Sequence, residues 1–447
     1  MHLTSLMRSR LTCSACLLAA SLYGSAAYAA DLQQTYELAQ AYDATIKAAE
    51  HDYESAMQRL PLARSAFLPQ LNFVYEAKRS EERRDDYGAY DDQLFSLTLR
   101  QSLFNRENGA IVDQAKLGVK QAEAQLLAQQ QNLILRTANT YFDVLRAQVE
   151  VEFSSSELEA IARQKEQAER RFDVGLVPVT DVRSAQAQYD LANAAQIAAK
   201  NQLENATGAM EVLTGAKPET ISPLAADLPL VAPDPANSDA WVNLAVEQNL
   251  DLVAARLAAQ TAAAEVSAIR GSRYPTLDLV GGALATENEE TEQRRGRITS
   301  ARSGSISIEV RVPVYTGGRI TSQVHQAKAD ANSAQQVLIS QERTTAQQAH
   351  DAFRGVTGSI ARANALRQAL SSTRKSAEAT DAGFRAGTRT SVEVLQALRD
   401  VYRAESDFAG ARYDYIINYL SLKAAAGTLN DNDLIPINNF LVQPGAK

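Results

Sequence analysis

A pattern written twice constrains this 447-residue chain more than its composition does. Arg171-Phe172-Asp173-Val174-Gly175 recurs as Gly383-Phe384-Arg385-Ala386-Gly387, an offset of 212 (387 − 175). The same offset relates Asp181 to Glu393, Val182 to Val394 and Gly215 to Gly427. Ser65-Ala66-Phe67-Leu68-Pro69-Gln70-Leu71 is likewise echoed by Gly271-Ser272-Arg273-Tyr274-Pro275-Thr276-Leu277. A fixed internal period decides the architecture before any local reading does. Here it predicts a helix–strand–strand–helix unit used twice, over 30–235 and 237–447.

Proline punctuates these units and is absent inside them. None lies between Pro69 and Pro178, or between Pro313 and Pro436. Five prolines from Pro218 to Pro235 mark a linker over 214–236. The stretch from Asn105 to Asp173 is rich in Ala, Gln, Leu and Glu, all good helix formers. As one helix it would be ~100 Å long, beyond ordinary globular helices and suggestive of a coiled coil. Val182, Ala185, Tyr189, Ala192, Gln196, Ala199, Leu203 and Ala206 alternate spacings of three and four. Val394, Ala397, Val401, Ala404, Phe408, Ala411, Tyr415 and Asn418 repeat the series. That period of 3.5 is a coiled-coil seam, and its alanines let helices approach closely. No apolar region large enough for a separate globular core is evident.

Four segments instead alternate with period two. Strands are predicted over ~70–82, ~92–104, ~276–287 and ~302–315, near the length of a tilted membrane strand. Ile306, Ile308, Val310 and Val312 alternate with Ser305, Ser307, Glu309 and Arg311. The charged segments from Glu81 to Asp92 and from Glu287 to Arg302 read as long irregular loops.

The N-terminus supplies the address. Arg8 and Arg10 precede an apolar run from Leu11 to Leu22, and Ala27-Tyr28-Ala29 places small residues at the cleavage positions, so 1–29 read as a secretory signal peptide. Both cysteines, Cys13 and Cys16, fall inside it, which removes disulfide and thiol chemistry from the mature chain. Only Leu11 to Ala15 precede Cys16, too short an apolar region for lipoprotein processing. Loss of the two arginines takes the formal charge from −8 to −10 (−8 − 2), and an acidic chain without a basic stretch argues against nucleic acid. No later segment reads as a transmembrane helix. If such an exported chain enters a membrane, it must do so as β-strands.

Backbone in lipid must be fully hydrogen-bonded, so such strands must close into a barrel. Four strands cannot close, because the smallest barrels have about eight. Copies of the chain must share one barrel, and cyclic symmetry makes two or three copies the plausible counts. The alternative that the same features allow is an exported soluble coiled-coil adaptor or scaffold with a small sheet.

At this point the residues resemble a known family. Val312-Pro313-Val314-Tyr315-Thr316-Gly317-Gly318-Arg319, Gly387-Thr388-Arg389-Thr390, Ala411-Arg412-Tyr413-Asp414-Tyr415 and Ala426-Gly427-Thr428-Leu429-Asn430 are similar to motifs of the TolC family. So is Arg171-Phe172-Asp173-Val174-Gly175-Leu176 with Thr180-Asp181-Val182. The resemblance implies an α+β, mainly α membrane protein: a homotrimeric twelve-stranded β-barrel, four strands per chain, continuing into a long α-helical coiled-coil barrel. It implies an outer-membrane exit duct for drugs, toxic small molecules or polypeptides, reaching into the periplasm. A periplasmic adaptor and an inner-membrane pump would be its partners. A mixed equatorial region would come from the linker and the tail, 427–447.

The resemblance also assigns roles. The hairpin tips, at Gly175, Leu176, Gly387 and Thr388, would contact the adaptor. Glu393 stands at an entrance-ring position, and Gln396 at the next leaves the second ring uncharged. Three Glu393 carboxylates would repel one another, raise their own pKa values and attract cations. Thr390-Ser391-Val392-Glu393 also reads as a capping box. Thr180, Asp181 and Arg389 match the family's closing network, and Phe384 replaces its tyrosine. Ile306, Ile308, Val310 and Val312 would face lipid. No catalytic motif, metal-ligand spacing or cofactor loop occurs, so neither an enzyme nor a cofactor is expected.

Overall fold

The computed structural model describes residues 31–83, 87–218, 220–225, 227–291 and 299–442, so the predicted signal peptide and residues 443–447 lie outside it. The first half runs α1 (Leu32–Tyr42), α2 (Ala44–Ser65), β1 (Gln70–Arg83), β2 (Tyr87–Phe104), α3 (Arg106–Asp173) and α4 (Val179–Thr214). The second runs α5 (Ser238–Gln248), α6 (Leu250–Gly271), β3 (Thr276–Thr291), β4 (Thr299–Arg311), α7 (Arg319–Arg385) and α8 (Ser391–Ala425), with a short α9 (Leu434–Asn438) in the tail. The duplication is visible in the lengths: α1 and α5 have 11 residues each, α2 and α6 have 22, and α3 and α7 have 68 and 67.

The same capping chemistry starts each half. Asp43 ends α1 and accepts the Thr45 and Ile46 amides of α2, and Asn249 ends α5 and accepts the Leu252 amide of α6. A carboxylate or amide oxygen there satisfies amides that a helix start leaves unpaired.

The long helices α3 and α7 carry the architecture. Near the strands α2, α3, α6 and α7 lie side by side, with α3 packed on both α2 and α6, and α6 on α7. Farther along, α4 takes the place of α2 and α8 that of α6, since α3 packs on α4 and α8, and α7 on α8. The seam alanines Ala185, Ala192, Ala199 and Ala206 are all buried. The end of α4 meets Tyr42 at Gly215, and the end of α8 meets Gln248 at Gly427.

One antiparallel sheet continues the bundle, in the order β1-β2-β3-β4. Directly paired residues share a face, so the register divides its surface. One face carries the rows Phe73–Leu97–Ala283 and Leu71–Leu99–Gly281–Ile306, with Leu279 opposite Ile308 and Leu277 opposite Val310. The other carries Asn72–Thr98–Gly282–Ser305 and Arg100–Val280–Ser307. On this second face Glu309 accepts from Arg100 at 2.7 Å and from Arg311 at 2.6 Å. Ile306, Ile308 and Val310 are 75%, 65% and 62% exposed in the single chain, with no protein layer over them.

Three sequence expectations change here. The strand predicted to 315 stops at Arg311, so Val312 lies beyond β4 rather than in a lipid-facing strand; Pro313 has no amide to continue the ladder. The described parts of the predicted loops are strand, because β1 runs to Arg83, β2 begins at Tyr87, and Glu287 and Asn288 pair with Ser300 and Thr299, while 84–86 and 292–298 lie outside the described residues. Charged side chains hid strand pairing that the backbone makes irrespective of them. Helix α6 does reach the length and apolarity of a membrane span, with a mean hydropathy of 1.2. Its alanines produce that value, and it packs on α3 and α7.

A core also exists, where none was expected. Around the middle of α3, Leu133, Tyr141, Phe142 and Leu145 pack with Met210, Trp241, Tyr413 and Leu420. Phe142 stacks on Tyr413 at 5.4 Å. The linker and tail wrap this girdle: the Ala225 amide donates to the Phe440 carbonyl at 2.7 Å, and that of Val442 to Pro223 at 2.8 Å. Trp241 donates its indole N–H to the Pro235 carbonyl at 2.8 Å. Each fully buried large apolar side chain contributes roughly 1.5–3 kcal/mol, so the girdle anchors helices that are otherwise joined by thin alanine seams.

Candidate functional site: the two hairpin tips

Both long helices end in the same turn. Gly175 has φ 74° and Gly387 φ 77°. The Gly175 amide donates to the Phe172 carbonyl and that of Leu176 to Arg171, each at 2.8 Å. The Gly387 amide donates to Phe384 at 3.0 Å and that of Thr388 to Gly383 at 2.8 Å. This pair of bonds is a Schellman motif, which closes a helix with a left-handed residue where glycine is least strained. At the first tip Val174 and Leu176 are exposed, the latter by 74%.

The helices that leave the tips start differently. Pro178 precedes α4 and offers no side-chain cap, while Asp181 sits in the first turn and Thr180 donates to it at 3.5 Å. Thr390 caps α8 in a full capping box with Glu393. Glu393 Oε2 accepts the Thr390 amide at 2.7 Å and the Thr390 hydroxyl at 3.0 Å. Its Oε1 accepts from Arg389 Nη1 at 2.7 Å.

Both Glu393 oxygens are therefore engaged inside one turn. The Thr390 amide, then Arg389, then the Thr390 hydroxyl hold its carboxyl down at about 2. Within a protomer this is the reverse of the upward shift expected from three repelling copies, because local donors outnumber any like charge in the chain.

Arg389 and Glu393 are joined across the start of α8 rather than to another hairpin, and Thr180 and Asp181 lie at the other tip. Phe384 is half-buried beside Gly383. The chain alone thus does not bring the predicted closing network together. Gln396 donates to Asp400 at 3.1 Å, which places a carboxylate one turn beyond the uncharged ring position. Sequence reading missed Asp400, although its spacing from Gln396 is the one at which helical side chains meet. It also missed Gly383, whose missing side chain makes room for Arg389; a β-carbon there would come within 2.7 Å of the arginine Cγ. Among the described residues no cluster of His, Cys, Asp or Glu could hold a metal ion.

A sheet with one apolar face, no second partner for the edge strands β1 and β4 among the described residues, and a wall of paired long helices defines a duct subunit that closes only with its copies. The family profile described as outer membrane efflux protein matches residues 35–216 and 241–428, and the chain belongs to that family. It is 34% identical over 418 residues to outer membrane protein TolC of Vibrio cholerae serotype O1, covering 93% of this chain and 94% of that protein. Against outer membrane protein TolC of Escherichia coli K12 the identity is 34% over 438 residues, with 96% and 88% covered. Similarity extends to the proteases secretion protein PrtF of Dickeya chrysanthemi, 27% over 429 residues, covering 93% and 92%. Among solved structures, CusC superposes with a TM-score of 0.75 at 17% identity, covering 91% of this chain and 95% of that one.

The fold is accordingly that of a trimeric outer-membrane duct built from tandem repeats, with four strands per chain in a twelve-stranded barrel. The protein resides in the bacterial outer membrane and serves as an exit duct for efflux and type I secretion. The family is one of channels and transport ducts.

Proposed function

We propose that this duct is gated at its two hairpin tips and engages a periplasmic adaptor and an inner-membrane pump there. The observation that carries the reading is the Thr390–Glu393–Arg389 cluster, seated on Gly383 beside a turn that repeats at Gly175. Arg389 has further N–H groups with which to reach Thr180 and Asp181 of a neighbouring hairpin. Glu393, Gln396 and Asp400 line one helical stripe toward the opening. Phe384 in place of the family's tyrosine removes one hydroxyl bond, so closure leans on Arg389. Exposed Val174 and Leu176, with Gly175, Gly387 and Thr388, form the adaptor surface. Ile306, Ile308 and Val310 face lipid. The division into two repeats follows the linker at 214–236.

Cargo follows from the relatives: small toxic molecules for efflux, and unfolded polypeptides, of which the proteases implied by PrtF are an example. The test is planar-bilayer recording of the purified trimer. Arg389→Ser is expected to raise single-channel conductance, and unchanged conductance rejects gating at the tips.

A further inference from the structure

The two hairpins of one chain are held together by a polar ladder between α3 and α8. Arg146 donates to Asp414 at 2.8 Å, and Ser406 to Glu150 at 3.5 Å. Phe153 and Tyr402 follow with ring centroids 6.1 Å apart. The last rung is Arg399 Nε on Glu157 Oε1, at 2.5 Å. Beyond it, toward the tips, no hydrogen bond, ion pair or ring contact joins α3 or α4 to α7 or α8 among the described residues. The remaining 16 residues of α3 (173 − 157) extend ~24 Å without such a tie.

Glu157 differs from the other acids of that region. It is only 8% exposed, whereas Glu159, Glu166 and Glu169 pair along α3 in the open. Arg399 is its single partner among the described residues, and a variant that removes one partner while the other stays buried is strongly penalised. Separation of the hairpins at this level breaks this short, half-covered ion pair, the last polar tie before the tips among the described residues.

We infer that Glu157 and Arg399 form a latch that fixes the second hairpin against the first and thereby sets the resting width of the entrance. Both are positioning residues that act through the hairpin rather than on cargo. The inference rests on gating at the tips, and the measurements separate the two.

The experiment records the full-length trimer in planar bilayers. Glu157→Gln and Arg399→Gln are each expected to raise the open-to-closed ratio roughly tenfold, equal to about 1.4 kcal/mol. The exchange Glu157→Arg with Arg399→Glu is expected to restore the resting conductance, which a packing role would not do. The sequence has no cysteine after Cys16, so Glu157→Cys with Arg399→Cys can be bridged by a short bis-maleimide. The bridged trimer is expected to stay narrow even when Arg389→Ser is added. If Arg389→Ser opens the channel while both glutamine variants behave as wild type, the latch is overturned and tip gating stands. If no variant alters conductance, both fall. Should the glutamine variants fail to assemble, the bridged trimer decides, and one that opens as freely as wild type overturns the latch.

Discussion

The side chain of Arg389 lies across Gly383, so close that a β-carbon on the glycine would stand 2.7 Å from the arginine Cγ. The contact ties the end of α7 to the start of α8 and holds the guanidinium at 2.7 Å from Glu393. Gly383→Ala should therefore displace Arg389 without harming the helix, where alanine is preferred to glycine by about 1 kcal/mol. The expected result is a trimer at least as heat-resistant as wild type, with conductance raised as in Arg389→Ser. A normal conductance would show that the arginine has another resting place.

Glu393 allows a test by pH. Its folded value, about 2, lies below the ordinary carboxylate value near 4.3, so the stabilisation is present above the unfolded pKa and is lost as pH falls toward about 2. Block of the channel by polyvalent cations should then persist from neutral pH down to about pH 4, and disappear in Glu393→Gln. A block that fades between about pH 7 and pH 5 would mean that repulsion among the three copies overrides the local donors.

The strand register makes Val310 and Glu309 opposites. Val310→Lys should cost roughly 2–4 kcal/mol near mid-membrane, read as a shift in the urea midpoint for barrel folding in lipid vesicles. Glu309→Gln should shift it less, because Glu309 shares the polar face with Arg100 and Arg311. The reverse order would invert the barrel.

Left-handed glycines are not equivalent. Nothing lies within 4 Å of a β-carbon built on Gly175, so Gly175→Ala should cost only the conformational term of roughly 1–2 kcal/mol. On Gly427 the same carbon would come within 2.2 Å of the Gln248 carbonyl oxygen and 2.8 Å of the Asn249 nitrogen. Backbone cannot swing aside as a side chain can, so Gly427→Ala should abolish heat-resistant trimers. Equal stability of the two variants would contradict this packing.

The sequence made these features visible unevenly. Proline spacing and the 212-residue offset announced two long-helix hairpins, because helix termination and glycine turns are local chemistry. The Thr390 box and the alanine seam followed for the same reason. The girdle came only through the resemblance, and its core residues not at all, since Tyr141 and Phe142 acquire their surroundings from the linker, the tail and α8, all distant in the chain. Strand ends were misplaced where charge was taken for irregularity, around Glu81 and Glu287. The rung between Glu157 and Arg399 had no signature either, because it depends on how two hairpins lean together.

Two continuous helices, α3 and α7, cross the girdle, whereas their neighbours are interrupted there, α4 giving way to α2 beside Tyr42 and α8 to α6 beside Gln248. Such a joint acts like a clamp on a bundle of rods: bending applied at the free ends is absorbed at the breaks. On the proposed gating at the tips, the pore in the membrane would keep its shape while the far mouth flexes, and the cell envelope would stay sealed around it.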